Sequence, residues 1–224
     1  MRLAIVVPTL NEEHALRAYL ALAIAEADDL IVSDGGSTDR TLDIARELGA
    51  KIVAGNPGRG VQLNRGAAAV PDTDILLFLH ADTVLPPGSG NAVRRAIENG
   101  ASGGAFFVRF DAERPLFRLG SGIVNLRTRL TKRPLGDQAQ FVRRDVFERL
   151  GGFREWPILE DLDFAGRLNR AHGLALLPGP AVTAARRYVE GGITKTIATN
   201  WLIWLLFAVG VSPERLARLY GHIR

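Results

Sequence analysis

The sequence contains no cysteine, which excludes a disulfide framework, a thiolate zinc site and a thiol nucleophile. Chemistry is left to carboxylates, histidines and hydroxyls. Lysine is nearly absent too, with only Lys51, Lys132 and Lys195, so the formal charge of +4 is carried by arginine. Arginine grips planar oxyanions with a two-pronged fork, which suits phosphate-bearing ligands; compositional bias of a GC-rich genome accounts for the same excess. Long apolar runs are missing as well. The most apolar segment, Trp201 to Val211, has eleven residues, short of the roughly 20 that span a bilayer. The amino terminus runs from Met1-Arg2 into a brief apolar stretch ending at Pro8, without the longer apolar core and cleavage site of a signal peptide. The expectation is a cytoplasmic protein.

What is present is ordinary for a globular chain: 224 residues, 47% hydrophobic and 23% charged, enough to bury a core. Leu3 to Val7 reads as a strand buried on both faces, closed by Pro8. Asn11 is placed to cap a helix whose first turn carries Glu12 and Glu13 and which continues to about Ala27. Leu30 to Ser33 is a second strand, ended by the turn Asp34-Gly35-Gly36. Ser37 or Thr38 then caps a helix that stops at Gly49. Lys51 to Ala54, a glycine-rich loop from Gly55 to Gly60, a short helix from Val61 to Ala69 and a strand from Ile75 to Leu79 follow. Strands alternating with helices specify an α/β fold, a mostly parallel sheet with helices on both faces. Such sheets bind ligands at the carboxyl ends of their strands. Three polar clusters fall there: Thr9 to Glu12, Asp34 to Asp39 and His80 to Thr83.

Beyond Gly100 the rhythm changes. Ala101 to Phe110 reads as a strand, Leu116 to Leu130 as an arginine-rich helix and Ala139 to Arg143 as another strand. Asp161 to Ala171 is helical, with Gly173 behind it. Ala181 to Val189 is irregular or extended and carries Arg186 and Arg187. Ser212-Pro213-Glu214 starts a final short helix.

Val7-Pro8-Thr9-Leu10-Asn11-Glu12-Glu13, Ser33-Asp34-Gly35-Gly36-Ser37-Thr38-Asp39, His80-Ala81-Asp82 and Leu159-Glu160-Asp161-Leu162-Asp163 together resemble the family 2 glycosyltransferases of GT-A (Rossmann-like) fold. Order and spacing both match. More narrowly, His80-Ala81-Asp82-Thr83, Gly136-Asp137-Gln138 and Gly151-Gly152-Phe153 are similar to a bacterial subgroup labelled arsenosugar-biosynthesis glycosyltransferases. The resemblance implies a catalytic domain over 1–190, its first half to about residue 100 binding a nucleotide-diphosphate sugar and 101–190 receiving an acceptor hydroxyl. A helical extension, 191–224, follows.

It also implies roles. Asp82 supplies the carboxylate for Mn2+ or Mg2+, which is usually held by one or two carboxylates plus the donor's phosphates. The family's triplet has aspartate at both ends, and here His80 stands first; imidazole suits Mn2+ better than Mg2+, so His80 is read either as a ligand or as a donor to ribose or phosphate. Pro8, Leu10, Glu12 and Asp34 occupy nucleoside-contacting positions, with Ala81 beside them in the triplet. Two departures are Leu10, where an aromatic is common, and Gly35, where a second aspartate is usual. Arg59 and Gln62 are candidates for the diphosphate at a helix start, and Arg186 and Arg187 for closing over it as it leaves. Asp161 is the candidate base that takes the acceptor's proton in an inverting transfer, with Glu160 orienting the acceptor or raising Asp161's proton affinity. Asp137 and Gln138 are candidates for reading hydroxyls, and Trp156 for a flat face on which a sugar stacks.

Two other classes remain open at this point. A metal-dependent sugar nucleotidyltransferase uses a similar sheet but begins with a glycine-rich activation loop that is absent here. A non-enzymatic phosphate- or nucleic-acid-binding module fits the arginines, yet these are scattered while the acids sit at the strand ends, so no nucleic-acid partner is expected. For 193–211 three placements are open: a helix covering the domain, a homodimer interface, or a helix lying at the inner face of a membrane with its tryptophans at the headgroups. They rank in that order, and the basic stretch Arg127 to Arg133 keeps the last of them open.

Overall fold

The computed structural model describes residues 1–112, 115–185 and 192–221. Eight strands form one sheet: β1 Leu3–Thr9, β2 Asp29–Asp34, β3 Lys51–Ala54, β4 Ile75–Phe78, β5 Thr83–Val84, β6 Gly103–Phe110, β7 Phe141–Arg143 and β8 Ala175–Thr183. Their order across the sheet is β3-β2-β1-β4-β7-β6-β8-β5.

β1 shows why the first half folds as it does. Its residues alternate between the two faces, and both faces are covered, so every position from Leu3 to Val7 is apolar and buried. Leu3, Ile5 and Val7 pack with Leu16, Leu20 and Val93 on one side. Ala4 and Val6 pack on the other, with Leu63 and a cluster of Phe78, Phe147, Phe153 and Phe164. Ring centroids in that cluster lie 4.5 to 6.4 Å apart, the range in which aromatic pairs attract.

The sheet is mixed but mostly parallel, with six of its eight strands running the same way. β3, β2, β1 and β4 run parallel, as expected from the helical crossovers, but β7 is antiparallel to both β4 and β6, and β5 is antiparallel to β8. β8 itself was not anticipated over its first six residues. It pairs parallel to β6 through a register shift at Phe106/Phe107, opposite Pro180, and Pro178-Gly179-Pro180 argue locally against a strand.

Two expected caps are also corrected. Asn11 does not cap the first helix; it takes a left-handed φ of 55°, its N–H donates to Ser37 Oγ (2.8 Å) and its Oδ1 accepts from Thr38 N–H (2.8 Å). That stitches the loop after β1 to the loop after β2, so Ser37 and Thr38 are not caps either. The helical run starts at Glu13–Ala15, passes through a π-helical Leu16–Leu20 and ends at Ile24–Glu26; the next helix is Thr41–Glu47. The two are capped across their gap. Asp39 accepts from Glu13 N–H and Thr41 N–H, while Glu13 Oε2 accepts from Arg40 N–H, which satisfies orphan donors of both helices.

Of the placements open for the tail, the first is the one observed. Helix Ile193–Ala208 lies against the domain, with Ile203 buried and Phe207 edge-on to Trp156 at 6.1 Å. Pro213–Gly221 folds back beside it, and Tyr220 OH donates to Asn200 Oδ1 at 3.3 Å. Among the described residues no helix is long and apolar enough to cross a membrane.

Candidate active site

The parallel strands bring the loops after β1 and β2 together at their carboxyl ends. Thr9 and Asp34 are register partners, and Thr9 Oγ1 donates to Asp34 Oδ1 at 3.1 Å. Asp34 also accepts from Ser37 Oγ (2.5 Å), Ser37 N–H (2.8 Å) and Gly36 N–H (2.8 Å). Burial pushes this carboxyl up, but the bonds from Ser37, Gly36 and Thr9 outweigh it and hold Asp34 below the ordinary carboxylate range. All these bonds bind the loop to itself. Gln62 is spent in the same way: its amide donates to Thr9 O and Ser33 O, both at 2.8 Å, and accepts from Gly58 N–H. It ties the ends of β1 and β2 to the glycine-rich loop and does not line the cavity described below. Gly35 has a packing reason, because a Cβ there would lie 3.1 Å from Pro57 Cα and 3.2 Å from the Gln62 amide. Pro8 and Glu12 are half-buried and Leu10 is exposed at the same edge; Glu12 N–H donates to Thr41 Oγ1.

A large cavity opens beyond β4. His80, Asp82, Arg59, Asp137 and Asp161 line it, together with Arg127. Ala81 is buried beside it, and Asp82 O accepts from Ala184 N–H, fixing the triplet against the end of β8. The opposite side is built by the start of helix Glu160–His172. Leu159 turns the chain into that helix with a left-handed φ of 67°, so the helix begins abruptly and its first two residues are the acids. Asp161 Oδ2 accepts from Gly136 N–H at 2.6 Å and Oδ1 from Leu162 N–H at 2.7 Å, which fixes the carboxylate in the cavity wall. Gly136 lies where a Cβ would come within 2.5 Å of His80 Nε2 and 3.2 Å of Asp161 Oδ2. Only a residue without a side chain lets the imidazole and the carboxylate approach that point together.

Glu160 lies behind, 1% exposed, and pairs with Arg59 (Nε to Oε1 2.7 Å), whose side chain is 32% exposed and reaches the cavity. Burial pushes the Glu160 carboxyl above its ordinary value; Arg59 opposes that rise and the neighbouring Asp161 adds to it. Asp163 is engaged elsewhere, by Arg167 at 2.7 Å.

Other expected site residues are placed differently. Gln138 is fully buried, accepting from Thr128 Oγ1 and Leu135 N–H and donating to Phe106 O; it supports the turn that presents Asp137 and does not face the cavity. Trp156 does not line the cavity either, since its ring lies between Arg154 and Phe207. Arg186 and Arg187 lie outside the described residues. The cavity also contains groups that sequence reasoning did not single out. Arg127, on helix Pro115–Thr131, donates to Arg133 O, and its Nε is buried with no hydrogen-bond partner among the described residues. Tyr220 arrives from the last helix. No local signal marks either one, because a helix face becomes a cavity wall only through tertiary packing.

Among the described residues no three acidic or imidazole groups cluster into a metal cage. The donor set is of another kind, one cavity-lining carboxylate at Asp82 with an imidazole two residues before it. That fits a hard cation that takes one or two carboxylates and completes its shell with phosphate oxygens and water.

Residues 4–151 match the family model described as glycosyl transferase family 2. A PGL/p-HBAD biosynthesis glycosyltransferase of Mycobacterium tuberculosis is 36% identical over 208 residues, covering 87% of this chain and 79% of the relative. Among solved structures, S. aureus TarS 1-349 superposes with a TM-score of 0.65 at 16% identity, covering 96% of this chain and 68% of that one. Glucosyl-3-phosphoglycerate synthase from Mycobacterium tuberculosis, in complex with Mn2+, UDP and phosphoglyceric acid, superposes with a TM-score of 0.60 at 22% identity, covering 94% and 79%. The fold is that of the GT-A glycosyltransferases. The narrower arsenosugar resemblance has no counterpart in these names.

Proposed function

Because the chain belongs to glycosyl transferase family 2, we propose that it moves a sugar from a nucleotide-diphosphate sugar to an acceptor hydroxyl with inversion, using Asp161 as the base. The observation that carries this reading is that Asp82, His80 and Asp161 line one cavity at the carboxyl end of the sheet. In the reaction the acceptor oxygen bonds to the anomeric carbon, the bond from that carbon to the diphosphate oxygen breaks, and the acceptor's proton passes to the Asp161 carboxylate. Gly136 N–H and Leu162 N–H aim that carboxylate. Asp82 would hold Mn2+ or Mg2+ against the diphosphate, and the cation, when bound, supplies charge neutralisation to the leaving group. Arg59 and Arg127 add fixed positive charge at the same cavity.

The Mn2+ and UDP in the glucosyl-3-phosphoglycerate synthase structure make UDP-sugars the first donors to try. Thermal-shift measurements with UDP-, GDP- and dTDP-sugars, each with and without Mn2+, should give stabilisation by one base class that depends on the metal. Asp82→Ala should remove the metal-dependent part. No shift with any donor, or a shift untouched by Asp82→Ala, rejects the donor and metal assignment.

A further inference from the structure

The cavity changes character along its length, and that change identifies the kind of acceptor it takes. Four of its ionisable groups, Asp161, Asp137, His80 and Arg59, gather where the Gly136 turn meets the start of helix Glu160–His172, while Asn200 and Tyr220 are polar groups lining it from the last two helices. Two facing helices form the remaining walls. On Pro115–Thr131 the cavity-lining residues Leu116, Leu119 and Ile123 follow at helical spacing and lead to Arg127 one turn on. From Arg127 to Leu116 the helix rises by about 16 Å, so the wall runs from a cation beside the carboxylates to an apolar end well away from them. On Ile193–Ala208 the facing stripe is Ile197, Trp201 and Trp204.

These wall residues are not buried by the described residues. Leu116, Leu119 and Ile123 are 42%, 61% and 41% exposed, although all three line the cavity. Outside the cavity lining the same two helices carry further exposed leucines, Leu126 and Leu130 on one and Leu202 and Leu205 on the other. An apolar surface of this extent left in water marks a binding site. Its continuity with Asp161 says what it binds, because an interface or a membrane contact alone would not require a cleft running down to the carboxylate.

We propose that this cleft binds the acceptor, and that the acceptor is an amphiphile: a hydroxyl presented to Asp161 on an apolar aryl or alkyl body held between the two helices. The inference rests on the transferase reading above. In this arrangement the helices settle acceptor choice, while the strand-end loops hold the donor.

The test uses the full chain and a homologous series of 4-n-alkylphenols from methyl to octyl, titrated against intrinsic tryptophan fluorescence, since Trp201 and Trp204 stand in the wall. Affinity should rise about fourfold per added methylene. Ile123→Asp should flatten that dependence while leaving UDP–Mn2+ affinity unchanged, and Leu119→Gln, at a more exposed position, should reduce it. Affinity independent of chain length, or the same increment in both variants, overturns the proposal. So does light scattering that finds a wild-type dimer split by Ile123→Asp with no chain-length effect in either form, because the apolar face would then be a self-interface. Failure of the transferase reading looks different: no metal-dependent nucleotide binding by the wild type, with the alkylphenol dependence intact.

Discussion

The two halves of the molecule use polar residues in opposite ways. Around β1 and β2 nearly every polar group is spent on the protein itself: Asp34 on its own loop, Gln62 on two strand ends, Asp39 and Glu13 on each other's helices. Around Gly136 and the Glu160–His172 helix, carboxylates and guanidinia crowd a cavity, one acid is driven above its ordinary pKa, and an arginine nitrogen lacks a partner among the described residues. The first region turns most of its polar groups onto the backbone, although Ser33 Oγ and Arg65 Nε are buried there without a partner among the described residues, and the second gathers its charges around a cavity. The depressed Asp34 belongs to the strand-end loops and the raised Glu160 to the structure behind the cavity.

The sharpest way to break this contrast is Asp161→Asn. Transfer should fall by about a thousandfold, within the range of a lost general base, while calorimetry finds UDP–Mn2+ affinity nearly intact; retained turnover would strip Asp161 of its role. Next in size is Arg59→Met, which leaves Glu160 buried without its cation. Urea unfolding at neutral pH should register a loss of about 3 kcal/mol, and Glu160→Gln added to it should restore part of that. A loss near zero would mean that the pair carries no cost.

The contributions of Asp34 and Glu160 to the pH dependence of stability should carry opposite signs. Asp34 is depressed in the fold, so its contribution is complete above the ordinary carboxylate pKa and is lost as pH falls through and below it. Glu160 is raised, so the folded state holds its proton more tightly, and stability falls as pH rises from the ordinary glutamate pKa through the raised one. Asp34→Asn should flatten the acid limb and Glu160→Gln the limb above it; a common sign in both difference curves would refute the contrast. Smaller again is Gly136→Ala, whose Cβ must displace the His80 ring. It should cost about tenfold in turnover, with little change in melting temperature. Smallest is Gly35→Ala in the scaffold, where the neighbours need give only a few tenths of an ångström; it should cost about 1 kcal/mol or less and leave turnover alone.

Much of the scaffold was legible because its signals are local. A strand buried on both faces must be a short continuous apolar run, and Leu3 to Val7 and Ile75 to Leu79 are such runs. The helix at Pro213 starts where proline and an acidic first turn place it. β8 was not legible, since Pro178-Gly179-Pro180 contradict a strand until β6 is available to pair with around an irregularity. The cluster that holds Asp82 follows from topology, whereas Asp161 is marked only by the resemblance to the family's acid pair; both line the cavity. Whether a polar side chain there faces a ligand or the backbone depends on neighbours tens of residues away. That is why Gln62 and Gln138 read as ligand-binding amides and prove to be internal ties, while Arg127 read only as part of a basic surface.

Leu159 shows how selection acts on such a site. A left-handed leucine costs about 1–2 kcal/mol that glycine would not pay, yet its side chain lines the cavity beside the carboxylates. A screen for heat resistance should enrich Leu159→Gly, and a screen for turnover should discard it.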